Sequence, residues 1–154
     1  MWVLGSFTGI RIGISTAKAI AEVNQIPIVS CTSLEGLGYN VNADTICSLI
    51  DARNNQVYCG VFDSNHQLIN EYMADDINNV IQNLPKADIC FVGDGAQLHR
   101  DILKGSFAED DNIHAANIGI CAYNKYKKGI TETANSIAPM YLRKSQAERM
   151  KELK

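Results

Sequence analysis

Apolar positions along the chain follow two rhythms, one helical and one strand-like. Within residues 10–23, Ile10, Ile14, Ala17 and Ala21 recur at steps of four, three and four, the spacing of one helix face. Thr8 stands where an N-cap belongs, and Pro27 closes the segment. Gly13, Ala17 and Ala21 place small side chains at four-residue steps, which admits a second helix closely, from this chain or from another subunit. Residues 27–31 read as a short buried strand. Thr32-Ser33-Leu34-Glu35 then has the form of a capping box, opening a short helix that ends near Gly36 or Gly38. Residues 40–43 are a polar loop and the expected boundary between two lobes.

From Thr45 the period changes. Residues 45–50, 56–62 and 67–72 are strand-like, and Arg53-Asn54-Asn55 and Asp63-Ser64-Asn65-His66 supply the turns between them. Three strands so close in sequence predict an antiparallel meander. Ile77, Val80, Ile81 and Leu84 return to helical spacing, stopped by Pro85. Residues 88–92 are a buried strand, Gly93-Asp94-Gly95 a turn, and residues 96–104 a helix. A last helix spans residues 115–128, with Gly129 as its stop and Lys125, Lys127 and Lys128 at its negative end. The order βββαβα plus a final helix predicts an α/β half-domain of the ribonuclease-H-like kind.

Composition narrows the class without deciding it. The chain has 154 residues, 46% hydrophobic and 20% charged, with three prolines, which excludes disordered and collagen-like classes. No apolar run approaches the roughly 18 residues that cross a bilayer. Met1-Trp2-Val3-Leu4-Gly5 offers neither the basic nor the apolar region of a signal peptide. The net charge of −3 is unevenly spread: residues 1–124 balance to −8, while residues 125–154 carry eight Lys/Arg against three Glu. The basic end is either a solvated helix and terminus or a surface for an acidic partner such as nucleic acid.

Five cysteines, Cys31, Cys47, Cys59, Cys90 and Cys121, lie in apolar stretches without a CxxC or a Cys/His pair at zinc spacing. They read as buried free thiols of a reducing compartment. His66, His99 and His114 are too far apart for a catalytic metal motif, so no metal site is expected. Gly5-Ser6-Phe7-Thr8-Gly9 precedes a helix and so could present N–H groups to an anion, but it lacks the lysine of a P-loop. Asp51, Gly93, Asp94 and Gly95 stand where strand ends meet turns, the place where α/β sheets bind nucleotides. A turn cap or hairpin ion pair explains Asp51 and Arg53 as simply. No serine elbow or cysteine–base pair is present in the pattern, and no catalytic residue is assigned.

Gly5-Ser6-Phe7-Thr8-Gly9-Ile10-Arg11-Ile12-Gly13-Ile14, followed by Ala17-Lys18, closely resembles the GPGSFTGLRIGL..AKG signature of the TsaB family. Its members are dimerisation subunits of the bacterial complex that forms threonylcarbamoyladenosine in tRNA. The resemblance continues through Thr32-Ser33-Leu34-Glu35, Leu49-Ile50-Asp51-Ala52-Arg53, Val57-Tyr58, Gly93-Asp94-Gly95-Ala96 and Pro139-Met140-Tyr141-Leu142-Arg143. It implies the two-lobed actin/sugar-kinase/Hsp70-like (ribonuclease-H-like) fold, with residues 1–43 a remnant of the first lobe. Residues 44–154 would be the second lobe, complete, with a basic tail.

The resemblance also implies a cytoplasmic, non-catalytic scaffold without cofactor or metal. Its partners would be a TsaD-type catalytic subunit and a TsaE-type ATPase, or a second copy of the chain, with tRNA reached through the complex and no membrane involved. The matching partner surface is Ile10, Gly13, Ile14, Ala17, Lys18 and Ala21, joined by the helix at residues 33–37. Two departures stand out. Family members open with a strand meander beginning ILAIDTS that is not in this sequence, and Val3-Leu4-Gly5 replaces Gly-Pro-Gly. The expected natural protein is therefore longer, and residues 1–40 need a covering partner. The alternative is a nucleotide-dependent enzyme of the same fold, a small kinase or a peptidase-like hydrolase using Asp51 and the Gly93-Asp94-Gly95 turn.

Overall fold

The computed structural model describes residues 7–140 and residue 142. Gly5 and Ser6 of the signature, and the basic residues from Arg143 onward, lie outside the described residues. The elements run α1 (Phe7–Asn24), α2 (Ser33–Gly38), β1 (Thr45–Asp51), β2 (Gln56–Asp63), β3 (Met73–Asp76), α3 (Ile77–Gln82), β4 (Cys90–Val92), α4 (Asp94–Leu98), β5 (Ser106–Phe107) and α5 (Ala115–Lys127). Helix α1 already includes Thr8, which therefore sits in the first turn and is not the N-cap.

One five-stranded sheet has the order β3-β2-β1-β4-β5. The first three strands are antiparallel neighbours, and β4 and β5 extend the sheet in parallel from β1. That topology is the ribonuclease-H-like arrangement expected from the βββαβα order. Both faces of β1 are covered, so its residues alternate between two cores. Cys47 and Leu49 join Val57, Cys59, Val61, Ile77, Val80 and Phe91 on one face, under α3 and α4. Ile46 and Ile50 join Leu34, Leu37, Phe62 and Val92 on the other, under α2. Helix α5 packs behind α2, so closely at Gly36 that a Cβ there would meet the Ile118 side chain.

Three elements differ from the pattern-based expectation. Residues 27–31 form no strand; Ile28 makes a single antiparallel bridge to Glu132, with N–H···O bonds of 2.8 and 2.7 Å. The third strand is β3, not residues 67–72, of which only Leu68 bridges to Phe62. Its register places Asp76 opposite Gln56, so the strand ends on the residue whose side chain caps α3. The helix expected at residues 96–104 is the short α4, which starts earlier, at Asp94 behind Gly93.

Candidate functional site

Helix α1 carries apolar side chains on both of its sides. At 100° per residue, Ile10, Ile14, Ala17 and Ala21 lie along one side, and Ile12, Ile20 and Val23 lie roughly opposite. Ile14 and Ala21 are buried within the chain, and Ile10, Ala17 and Lys18 are half-buried. The opposite side is open: Val23 is 83% exposed, Ile12 63% and Ile20 56%, with exposed Gly9 and Gly13 beside them. A Cβ at Gly13 would meet nothing within 4 Å. Of the six residues read as a partner surface, Gly13 alone is fully turned outward, while Ile14 and Ala21 are already covered. The outward stripe of Ile12, Ile20 and Val23 is overshadowed in the sequence by the more regular face of Ile10, Ile14, Ala17 and Ala21. Its signal in the sequence is the second apolar set, offset by half a turn. Arg11 is likewise exposed on this helix.

The short helix α2 follows from its own sequence. Thr32 Oγ1 accepts the Glu35 N–H at 3.0 Å, and the Glu35 carboxylate accepts the Thr32 N–H at 2.7 Å, the reciprocal bonds of the capping box. Asn40, after the helix, donates to the carbonyls of Asp110 and Asn112 at 2.8 Å each and accepts from Asn117. The polar loop is thereby tied to the start of α5.

Asp51, Gly93, Asp94 and Gly95 do come together, at the junction of β1, β4 and α4. Asp94 Oδ1 accepts the N–H of Asp51 at 3.1 Å and of Gly95 at 2.8 Å. Asp51 Oδ1 accepts the Arg53 N–H at 2.8 Å, which is the turn-cap geometry. Asp111 takes the Gly93 N–H at 2.6 Å and the Gln97 side-chain amide at 2.7 Å. Gly93 adopts φ +108°, and a Cβ on it would run into the Leu49 carbonyl oxygen. At Gly95 a Cβ would come within 3.0 Å of the β1 backbone. These glycines let a helix start press against the central strand, and the N–H groups of Gly93 and Gly95 are engaged by carboxylates of the chain itself.

Among the described residues, no helix is long and apolar enough to cross a membrane. A family model described as TsaD, tRNA N6-adenosine threonylcarbamoyltransferase, matches residues 5–151. The chain is 28% identical over 156 aligned residues to the tRNA threonylcarbamoyladenosine biosynthesis protein TsaB of Bacillus subtilis (strain 168), covering 94% of this chain and 68% of that protein. Two solved structures share the fold at a TM-score of 0.77. One is YeaZ from Pseudomonas aeruginosa, 23% identical, with 89% of this chain and 70% of that one covered. The other is described as an uncharacterized protein with similarity to peptidase YeaZ from Pseudomonas aeruginosa, 24% identical, with 90% and 69% covered. With nearly the whole sequence inside the family match and its collinear likeness running to TsaB, the chain belongs to the TsaD family, on its TsaB/YeaZ side.

Proposed function

We propose that this chain is a non-catalytic accessory subunit in the formation of N6-threonylcarbamoyladenosine in tRNA, acting in the cytoplasm by protein contacts. The observation that carries this reading is the exposed apolar side of α1, formed by the signature segment that aligns with TsaB. Ile12, Ile20 and Val23 flank exposed Gly9 and Gly13, a surface whose small residues let a partner helix come close and whose large ones fill the contact. The occupant is a TsaD-type catalytic subunit, with a TsaE-type ATPase joining the complex. A second copy of the chain occupies the same face when that subunit is absent. Ile10, Ile14, Ala17, Lys18 and Ala21 support the helix from its inner side. In this scheme residues 1–43 contribute the docking helix and residues 44–154 the second lobe, with α2 bridging the two.

Support for an enzyme that binds nucleotide at Asp51, Gly93, Asp94 and Gly95 is weaker, since those groups are occupied in building the turn. The test is reconstitution with a TsaD-type subunit from a related bacterium, read by gel filtration and by mass spectrometry of modified tRNA nucleosides. Ile12→Asp with Ile20→Asp is expected to abolish both the complex and the modification while leaving the circular dichroism unchanged. Complex formation at wild-type affinity by this double variant overturns the assignment. Saturable ATP turnover by the isolated chain, lost in Asp51→Ala, overturns the non-catalytic reading.

A further inference from the structure

Four chemically reactive side chains that neither α1 nor the β4–α4 turn uses cluster where α2 meets α5. The sulfurs of Cys31 and Cys121 and a carboxylate oxygen of Glu35 lie within 4.8 Å of one another, between the chain segment before α2 and the middle of α5. Lys125, one turn after Cys121, places its Nζ 2.7 Å from Glu35 Oε1 and 2.9 Å from the Ser30 carbonyl. Both thiols are free and buried, Cys31 at 1% exposure and Cys121 at 4%. A cavity of about 290 Å³ opens onto Cys121, with Glu35, Lys125, Tyr39 and His66 among its other walls.

This grouping suits thiol chemistry better than a cation. Glu35 has one oxygen on the Thr32 N–H and the other on Lys125, and the ammonium already supplies the positive charge that a metal would bring. The neighbouring Cys121 thiol draws the Cys31 pKa down; burial opposes this, and the Lys125 charge adds to it. The same contact and burial push the Cys121 thiol up, and the Lys125 ammonium at the cluster favours a thiolate on Cys31.

We infer that Cys31 and Cys121 form a redox site, a thiol pair that hydroperoxides convert to a reversible disulfide between the α1–α2 connection and α5. The Cys31 thiolate attacks one peroxide oxygen, the O–O bond breaks, and Cys31 becomes a sulfenic acid while the other oxygen leaves as water or alcohol. The Cys121 sulfur then attacks the Cys31 sulfur and the S–O bond breaks. The hydroxyl departs with the Cys121 proton as a second water. One peroxide is reduced by two electrons and two thiols become one disulfide; a small dithiol reverses the step. The cross-link would fix the chain segment leading from α1 against α5, whatever partner α1 binds, and stands apart from the docking proposal.

The experiment treats the full chain with a small excess of hydrogen peroxide, alkylates the remaining thiols, and maps the peptides by mass spectrometry with and without dithiothreitol. Expected are the loss of two thiols per chain, a Cys31–Cys121 peptide pair as the main product, and complete reversal by the reductant. In Cys121→Ser, dimedone should trap a sulfenic acid at Cys31. In Cys31→Ser, the cross-link should vanish and peroxide-dependent thiol loss should slow by about 10-fold or more. Half-buried Cys90 is the internal reference: oxidation confined to Cys90, or a Cys47–Cys59 pair instead, overturns the proposal. So does one Zn²⁺ or Co²⁺ per chain retained through dialysis by the wild type and lost in both serine variants, because that makes the cluster a metal site.

Discussion

Lys125 in the last turn of α5 meets Glu35 in the first turn of α2 at 2.7 Å, with the two side chains only 26% and 12% exposed. Glu35 at the same time closes the capping box, so one carboxylate fixes both the start of α2 and its packing against α5. Burial of the ammonium lowers its pKa, and the hydrogen bond and charge of Glu35 more than reverse this, leaving it raised. A raised lysine contributes stability that is complete below its unfolded pKa of about 10.4 and is lost as pH climbs through the folded value. Lys125→Met should therefore destabilise the chain by about 1–3 kcal/mol at neutral pH, since it leaves Glu35 partly buried without its cation. Urea titrations at about pH 8 and about pH 11.5 check the sign: the gap between variant and wild type should narrow at the higher pH.

Gly93 and Gly13 should respond oppositely to the same change. Gly93 holds φ +108° with its α-carbon against the Leu49 carbonyl, so Gly93→Ala combines backbone strain with a clash against the central strand. A loss of about 3 kcal/mol or more is expected in thermal or chemical unfolding. Gly13 lies inside α1 with open space around it, and Gly13→Ala should raise the helix stability by up to about 1 kcal/mol. If the outward face of α1 docks a partner helix, the added methyl should weaken that complex although the free chain is more stable. Equal binding by Gly13→Ala and wild type would show that no backbone approaches there.

What the sequence discloses follows the range of the forces involved. The capping box was readable because Thr32 and Glu35 are three residues apart and serve each other. The β1–β2 hairpin was readable because Arg53, Asn54 and Asn55 are turn residues, and all three adopt positive φ. The third strand was not, because its place depends on register with β2 and on Asp76 capping α3, while Leu68, Ile69 and Tyr72 imitate a strand just before it. Strand β5, two residues long, exists through its pairing with β4 and leaves no periodic trace. The outward side of α1 shows in the spacing only as a second, overshadowed apolar set, and the meeting of Cys31 with Cys121 does not show there at all. The first is masked by the more regular apolar face of the same helix, the second by the long stretch of chain between the cysteines.

The Asp110 carboxylate accepts the Asn112 N–H at 2.9 Å, then the His114 ring at 2.6 Å and the Asn112 side-chain amide at 2.9 Å. Together, in that order of strength, these bonds hold its pKa down to about 2. A lowered carboxylate supports the fold above its ordinary pKa, and that support is lost as pH falls through the lowered value. Carbon-detected NMR should place the Asp110 midpoint near 2. In His114→Ala the midpoint should rise part of the way to the ordinary value, because the Asn112 bonds persist. An Asp110 that titrates like a free aspartate in the wild type would mean that the turn before α5 is not held this way.

Ser48 sits in the middle of β1 with no exposure, and its hydroxyl finds no hydrogen-bond partner among the described residues. It points to the face that packs Phe62 and α2, near the α-carbon of Gly38. A hydroxyl removed from water without a partner costs about 1–3 kcal/mol. Ser48→Ala deletes the unsatisfied group and almost no packing volume, so the variant should be more stable than the wild type by about 1 kcal/mol. For a domain of this size that is a rise of about 2–4 °C in Tm. The comparison with Ser48→Val separates the causes. If relief of the polar group matters, alanine stabilises and the two extra methyls of valine, with Gly38 and Phe62 in the way, reverse the gain. Destabilisation by alanine as well would mean that the hydroxyl is satisfied in solution and that β1 carries no orphaned donor.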